Sequence, residues 1–171
     1  MGAVMKVNAV FRAENGGLVR ISDGKDIQLG DIRTVSAEGL PELTFSDFIV
    51  RLEIPLSSVE LDGGLYNEEF LAGLRDFLKK LESRGQFAVL APVDNACGGD
   101  AGRITELCSH TARRVKDCLS VVGVEIPRGV IAAGDVSAFA DEISRKHQHY
   151  VYFSGSADMG MIPENFPLVR Y

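Results

Sequence analysis

Arg51 and Glu53, spaced i, i+2 in the β-forming run Phe48-Ile-Val-Arg-Leu-Glu-Ile54, are the first side chains in this sequence that could do chemistry. Asp94, after the apolar run Phe87 to Val93, and Glu125, near the end of Val121 to Ile126, complete the set. Two carboxylates such as Glu53 and Glu125 can divide acid and base roles if one is desolvated and its pKa raised while the other stays hydrated. Cleavage of a glycosidic bond uses such a pair. The same residues have a plainer reading, in which Arg51 forms a satisfied ion pair with Glu53 or Glu125 inside a sheet layer, because unpaired buried charge is costly. Sequence spacing does not choose between the two.

In a parallel α/β sheet, ligands sit beyond the carboxyl ends of the strands, where loops and helix N-termini converge. That rule also selects Asn95, Arg128, Ser154, Ser156 and Asp158. His147 and His149 are two apart and could share a face. They precede a strand and lack a third ligand at a recognisable spacing, so no metal site is assigned. His110 falls within a helix pattern, where a solvated or core-edge histidine explains it. Ser154-Gly-Ser-Ala-Asp158 lacks the endings of a phosphate-binding loop and reads as turn chemistry. Cys97 beside Gly98-Gly99 has no neighbouring histidine to activate it. No catalytic residue and no cofactor is assigned; Arg51, Glu53, Asp94 and Glu125 are read as ligand-binding candidates.

The elements that must position these residues follow a β, α, β, α, β, α, β cadence from Phe48 to Phe153. Parallel strands need a crossover, and a helix is the usual one. Helical stripes are carried by Phe70, Leu71, Leu74, Phe77, Leu78 and Leu81 after an Asn67 cap, by Ile104, Leu107, Cys108, Thr111, Val115 and Leu119, and by Val136, Phe139, Ala140 and Ile143 after Asp135. Residues 1–45 read differently. Alternation from Met5 to Phe11, the turn Asn15-Gly16-Gly17, a returning strand at Leu18 to Ile21 and one or two short strands in Ile27 to Val35 predict an antiparallel meander. The fold class is therefore α/β: parallel βα units over residues 46–155, an N-terminal antiparallel β extension over 1–45, and a loop and tail over 156–171, all in one domain.

Composition narrows the function classes. Of 171 residues, 46% are hydrophobic and 25% charged, which suits one globular unit with a sizeable core. The formal charge of −6 repels a phosphate backbone, so nucleic acid is not an expected partner. Three cysteines make an odd set, with Cys108 and Cys118 in one predicted helix, and they read as free thiols. No apolar run approaches the roughly 20 residues of a membrane span, and Lys6 and Asn8 interrupt any signal-like start. A soluble, cytoplasmic protein with no membrane partner is expected.

The strand residues also carry a resemblance. Phe48-Ile-Val-Arg-Leu-Glu-Ile-Pro55, Leu81-Glu-Ser-Arg-Gly85, Phe87-Ala-Val-Leu90 and Val121-Val-Gly-Val-Glu-Ile-Pro127 resemble strands two to four of cellulase-like (β/α)8-barrel glycoside hydrolases. Phe139-Ala-Asp-Glu-Ile-Ser-Arg145 and His149-Tyr-Val-Tyr-Phe-Ser-Gly155 resemble that family's fourth helix and fifth strand. The resemblance implies a shortened, incomplete TIM-type barrel, with Arg51 where those enzymes also carry an arginine. It also marks departures. Ala91-Pro92-Val93-Asp94 stands where the family has a histidine-bearing loop, and Arg128-Gly129 where it has an Asn-Glu pair with the general acid/base. The family's nucleophile belongs to a seventh strand, and a full barrel takes about 250 residues. The resulting expectation is a non-catalytic protein on a degenerate glycosidase-like scaffold, binding a carbohydrate or small polar molecule or acting in assembly. The alternative is a glycoside hydrolase-like enzyme with re-sited carboxylates. Open edges and an uncovered inner face predict that the N-terminal strands fold over the opening or that copies associate as a homo-oligomer.

Overall fold

The structure, a computed structural model, describes residues 7–40, 42–155 and 161–171. Its first sheet is local in origin. Strands β1 (Phe11–Glu14) and β2 (Gly17–Arg20) form a hairpin joined by Asn15-Gly16, and β3 (Asp26–Ile27) pairs antiparallel with β2. Both turn residues take positive φ, 52° and 79°, the geometry that lets a two-residue turn follow the twist of its strands. The expected strand over Met5 to Phe11 begins only at Phe11, and Met5 and Lys6 lie outside the described residues.

The second sheet is parallel and sequential, with six strands in the order β4-β5-β6-β7-β8-β9. They are β4 (Arg33–Ser36), β5 (Ile49–Pro55), β6 (Phe87–Val93), β7 (Val121–Glu125), β8 (Val151–Ser154) and β9 (Leu168–Arg170). Between them run α1 (Leu56–Val59) and α2 (Glu68–Ser83), then α3 (Ala101–Arg114), then α4 (Arg128–Ala132) and α5 (Val136–Ser144). Two of the six strands depart from the sequence reading. β4 was expected in the antiparallel meander but pairs parallel with β5, Val35 opposite Leu52. Only Val35 of its four residues is buried, so the strand lacks the apolar run that marks a parallel strand. β9 lies in the expected tail, where three residues are too few to show a period; pairing with β8, Phe153 opposite Val169, creates it.

The helices form for visible reasons. Asn67 accepts the Phe70 N–H at 3.1 Å to cap α2, whose buried residues are Leu71, Leu74, Phe77, Leu78 and Leu81. Asp100 caps α3 in the same way through the Arg103 N–H. Asp135 occupies the cap position of α5 without a side-chain hydrogen bond. Leu119, expected in the α3 stripe, lies beyond that helix and is exposed.

Strand alternation divides the core. Val50, Leu52, Ile54, Leu90 and Val124 face the helices, while Ile49, Val89, Val151, Phe153 and Val169 face the opposite way. Phe11, Leu18 and Leu29 pack over that second face, so the antiparallel sheet covers what would otherwise be an open apolar interior. The Arg170 N–H donates to the Gly16 carbonyl at 3.0 Å, so the hairpin turn also supplies a partner at the β9 edge.

Candidate functional site

Arg51 and Glu53 point away from the helices because they alternate with the buried Val50, Leu52 and Ile54. Register sets Arg51 opposite Val89 on β6 and Val89 opposite Gly123 on β7, so Glu125, two residues further on, is one layer closer to the strand tips. Arg51 and Glu125 are thus two strands apart, about 10 Å in backbone terms. A long arginine side chain crosses that gap above β6.

The crossing ends in a forked pair. The Nε of Arg51 donates to Glu125 Oε2 at 2.6 Å and its Nη2 donates to Glu125 Oε1 at 2.9 Å. The remaining arm, Nη1, donates to Glu53 Oε2 at 3.1 Å. Tyr171, just past β9, donates its phenol to the same Glu125 Oε2. Glu125 therefore receives three donors over its two oxygens, and Glu53 keeps Oε1 for other partners. The side chains of Arg51 and Glu125 are 20% and 18% exposed, and that of Glu53 is 34% exposed.

Electrostatics follow from these contacts. The hydrogen bonds from Arg51 to Glu125 raise the guanidinium above its ordinary pKa, against the opposing effect of burial. Burial, followed by the charge of Glu125, raises the phenol of Tyr171, so Tyr171 remains a donor. One guanidinium between two carboxylates leaves a formal charge of −1. Such a cluster can accept hydrogen bonds from hydroxyl groups at Glu53.

The other sequence candidates do not join this cluster. Asp94 accepts the N–H groups of Cys97 at 2.7 Å, Gly99 at 2.8 Å and Ala96 at 3.3 Å, so its carboxylate shapes its own loop. Burial pushes that carboxyl up, but the backbone donors outweigh it and hold the pKa below the ordinary value. Asn95 ties the tip of β6 to the start of α1, accepting the Ser57 N–H at 2.9 Å and donating to the Ser57 Oγ. Arg128 opens α4. Ser154 is buried, and its hydroxyl donates to the Gly155 carbonyl at 3.2 Å. Ser156 and Asp158 lie outside the described residues.

His147 and His149 sit in the turn between α5 and β8, and no group of three metal-ligating side chains occurs among the described residues. His110 stacks on Tyr66 with ring centroids 3.5 Å apart and meets Glu68 at 3.2 Å. Burial, then the charges of Asp94 and Glu60, push the Cys97 thiol up to about 11, the opposite of an activated nucleophile. All three cysteines are free thiols. Among the described residues no helix is long and apolar enough to cross a membrane.

Sequence reasoning missed Tyr171, because its position depends on β9. It also missed a surface network that joins α2 to α3. In that network Arg103 pairs with Glu60 and Glu106, Tyr66 donates to Glu106, and Arg114 pairs with Glu68. The sequence signal was the i, i+3 pair Arg103 and Glu106 on α3, which looks like any solvated helix face.

No family model and no curated protein matches the chain. Solved structures do. An endogalactoceramidase matches with a TM-score of 0.60 and 14% identity over 88% of this chain and 54% of that one. A glycoside hydrolase family 5 enzyme from Prevotella bryantii B14 matches with a TM-score of 0.50 and 10% identity over 71% of this chain and 48% of that one. The chain spans about half the length of these structures. The similarity is one of fold: a glycosidase-like scaffold with six consecutive parallel strands of a partial barrel.

Proposed function

We propose that this protein is a non-catalytic module on a glycosidase-like scaffold, and that its strand tips bind a carbohydrate or another polyhydroxylated small molecule. The observation that carries this reading is the pairing of Glu125. Three donors, two from the Arg51 fork and one from the Tyr171 phenol, occupy three of its roughly four acceptor sites and hold it as a paired carboxylate, which makes it a poor proton donor to a leaving group. Glu53 retains one free oxygen in a partly exposed position and would contact the ligand, with Asp94 and Asn95 shaping the rim. A second reading, hydrolysis with Glu53 as a re-sited base supported by Arg51, rests on that same free oxygen.

A panel of chromogenic glycosides together with titration calorimetry against oligosaccharides separates the two. The binding reading expects no turnover above background and a heat of binding that Glu53→Gln weakens several-fold. Turnover by the wild-type chain that Glu53→Gln or Glu125→Gln abolishes would overturn it.

A further inference from the structure

Three rings pack together where α5 ends and β8 begins. His147 is 3% exposed and lies nearly flat against Tyr150, with centroids 4.9 Å apart at 19°. His149 meets Tyr150 edge-on at 4.7 Å and His147 at 6.4 Å. Among the described residues neither ring nitrogen of His147 has a hydrogen-bond partner, and neither does the buried phenol of Tyr150. Buried polar groups are nearly always paired, so an orphaned imidazole and an orphaned phenol side by side are unusual. Neutral imidazole tolerates such a place far better than imidazolium does.

The charged groups around His147 make protonation worse. From its own segment Lys146, His149 and Tyr150 face it, and from the end of α3 and the turn after it come Arg113 and Lys116. No carboxylate is among them. A proton on His147 would create a buried cation among cations with nothing to accept its N–H groups. Burial first, then the charges of His149, Lys146, Arg113 and Lys116, pull its pKa down to about 4 from the ordinary 6.5, and burial lowers His149 as well.

We propose that the His147–Tyr150–His149 cluster is an acid-operated catch: mild acid expels the His147 ring as imidazolium and releases the segment between α5 and β8 from the core. The backbone bonds that hold this segment, His147 N–H to Ile143 at 3.1 Å and Tyr150 N–H to His147 at 3.1 Å, open with it. Tyr152, bonded to Ala140 at 3.0 Å and to Ser144 at 2.7 Å, keeps the body of α5 on the sheet.

The sign follows from linkage. The opened segment titrates near 6.5 and the closed one near 4, so the open form holds more protons between those values. The closed form is fully favoured above about pH 6.5 and loses ground as pH falls toward 4. At pH 5 opening is favoured about 30-fold over its level at pH 8.

Amide hydrogen exchange on the intact chain tests this. Protection factors for residues 143–150, corrected for intrinsic rates, should fall about 30-fold from pH 8 to pH 5 while those of β5 and β6 hold. In His147→Phe, which keeps a ring in the stack without a titrating group, the fall should vanish; in His149→Gln it should persist. Equal protection at the two pH values, or an acid-induced fall retained in His147→Phe, would overturn the catch. Should His147→Phe fail to fold, the wild-type chain still decides by NMR: a His147 ring titrating near 6.5 in the closed state contradicts the proposal.

Discussion

Arg51 commits all three guanidinium nitrogens to the strand-tip cluster, two to Glu125 and one to Glu53. A side-on fork of this kind fixes orientation as well as charge, which a lysine could not reproduce. Tyr171 adds a neutral donor to a carboxylate already paired. Tyr171→Phe removes that donor and keeps the ring packed near Phe153, whose centroid is 5.7 Å away. A hydrogen bond to a charged group contributes about 1.5 kcal/mol or more, so urea unfolding should show Tyr171→Phe destabilised by about that amount. Arg51, Glu53 and Glu125 were legible as a group because each is a charge set within or at the end of a β-forming run, and the ion-pair reading of them agrees with the geometry. Asp94 was legible only as a residue after a strand. Whether its carboxylate would face a cleft or its own loop depends on the turn at Gly98-Gly99, where φ is 58° and 83°, and spacing does not encode that.

At the scale of elements, the strands buried on both faces and the three long helices could be read from period and caps. β4 and β9 could not, because they are short and carry no apolar run long enough to show a period. β7 shows what the sheet demands of single residues. The β6–β7 register shifts between Ala88 and Val89, and Gly123 comes so close to β8 that a Cβ there would sit 1.7 Å from the Val151 carbonyl oxygen. No side-chain movement relieves a clash with backbone. Gly123→Ala should therefore cost more than about 3 kcal/mol or abolish soluble expression, as seen by thermal unfolding. A variant as stable as the wild type would mean that β7 and β8 are not paired this way.

For the whole molecule, the antiparallel sheet is the component that makes six barrel strands viable. It buries Phe153 and Val169 beneath Phe11, Leu18 and Leu29, and each such side chain contributes about 1.5–3 kcal/mol on burial. The other opening is less well closed. β4 pairs on one side only, and three of its four residues are exposed. We propose that copies associate through this region, as an open edge invites. Light scattering at micromolar concentration should give a mass above that of one chain, and a strictly monomeric particle would contradict this.

We propose that Glu125 serves the fold rather than a reaction. A carboxylate kept for chemistry is often replaced with a gain in stability, whereas one kept as a structural anchor is not. The most direct test is a double-mutant cycle on unfolding free energy with Arg51→Met, Glu125→Gln and the pair together. Each single change should destabilise by about 2–3 kcal/mol, discounted for partial exposure, and the two should couple by at least about 1.5 kcal/mol. A Glu125→Gln chain more stable than the wild type, with coupling near zero, would contradict it.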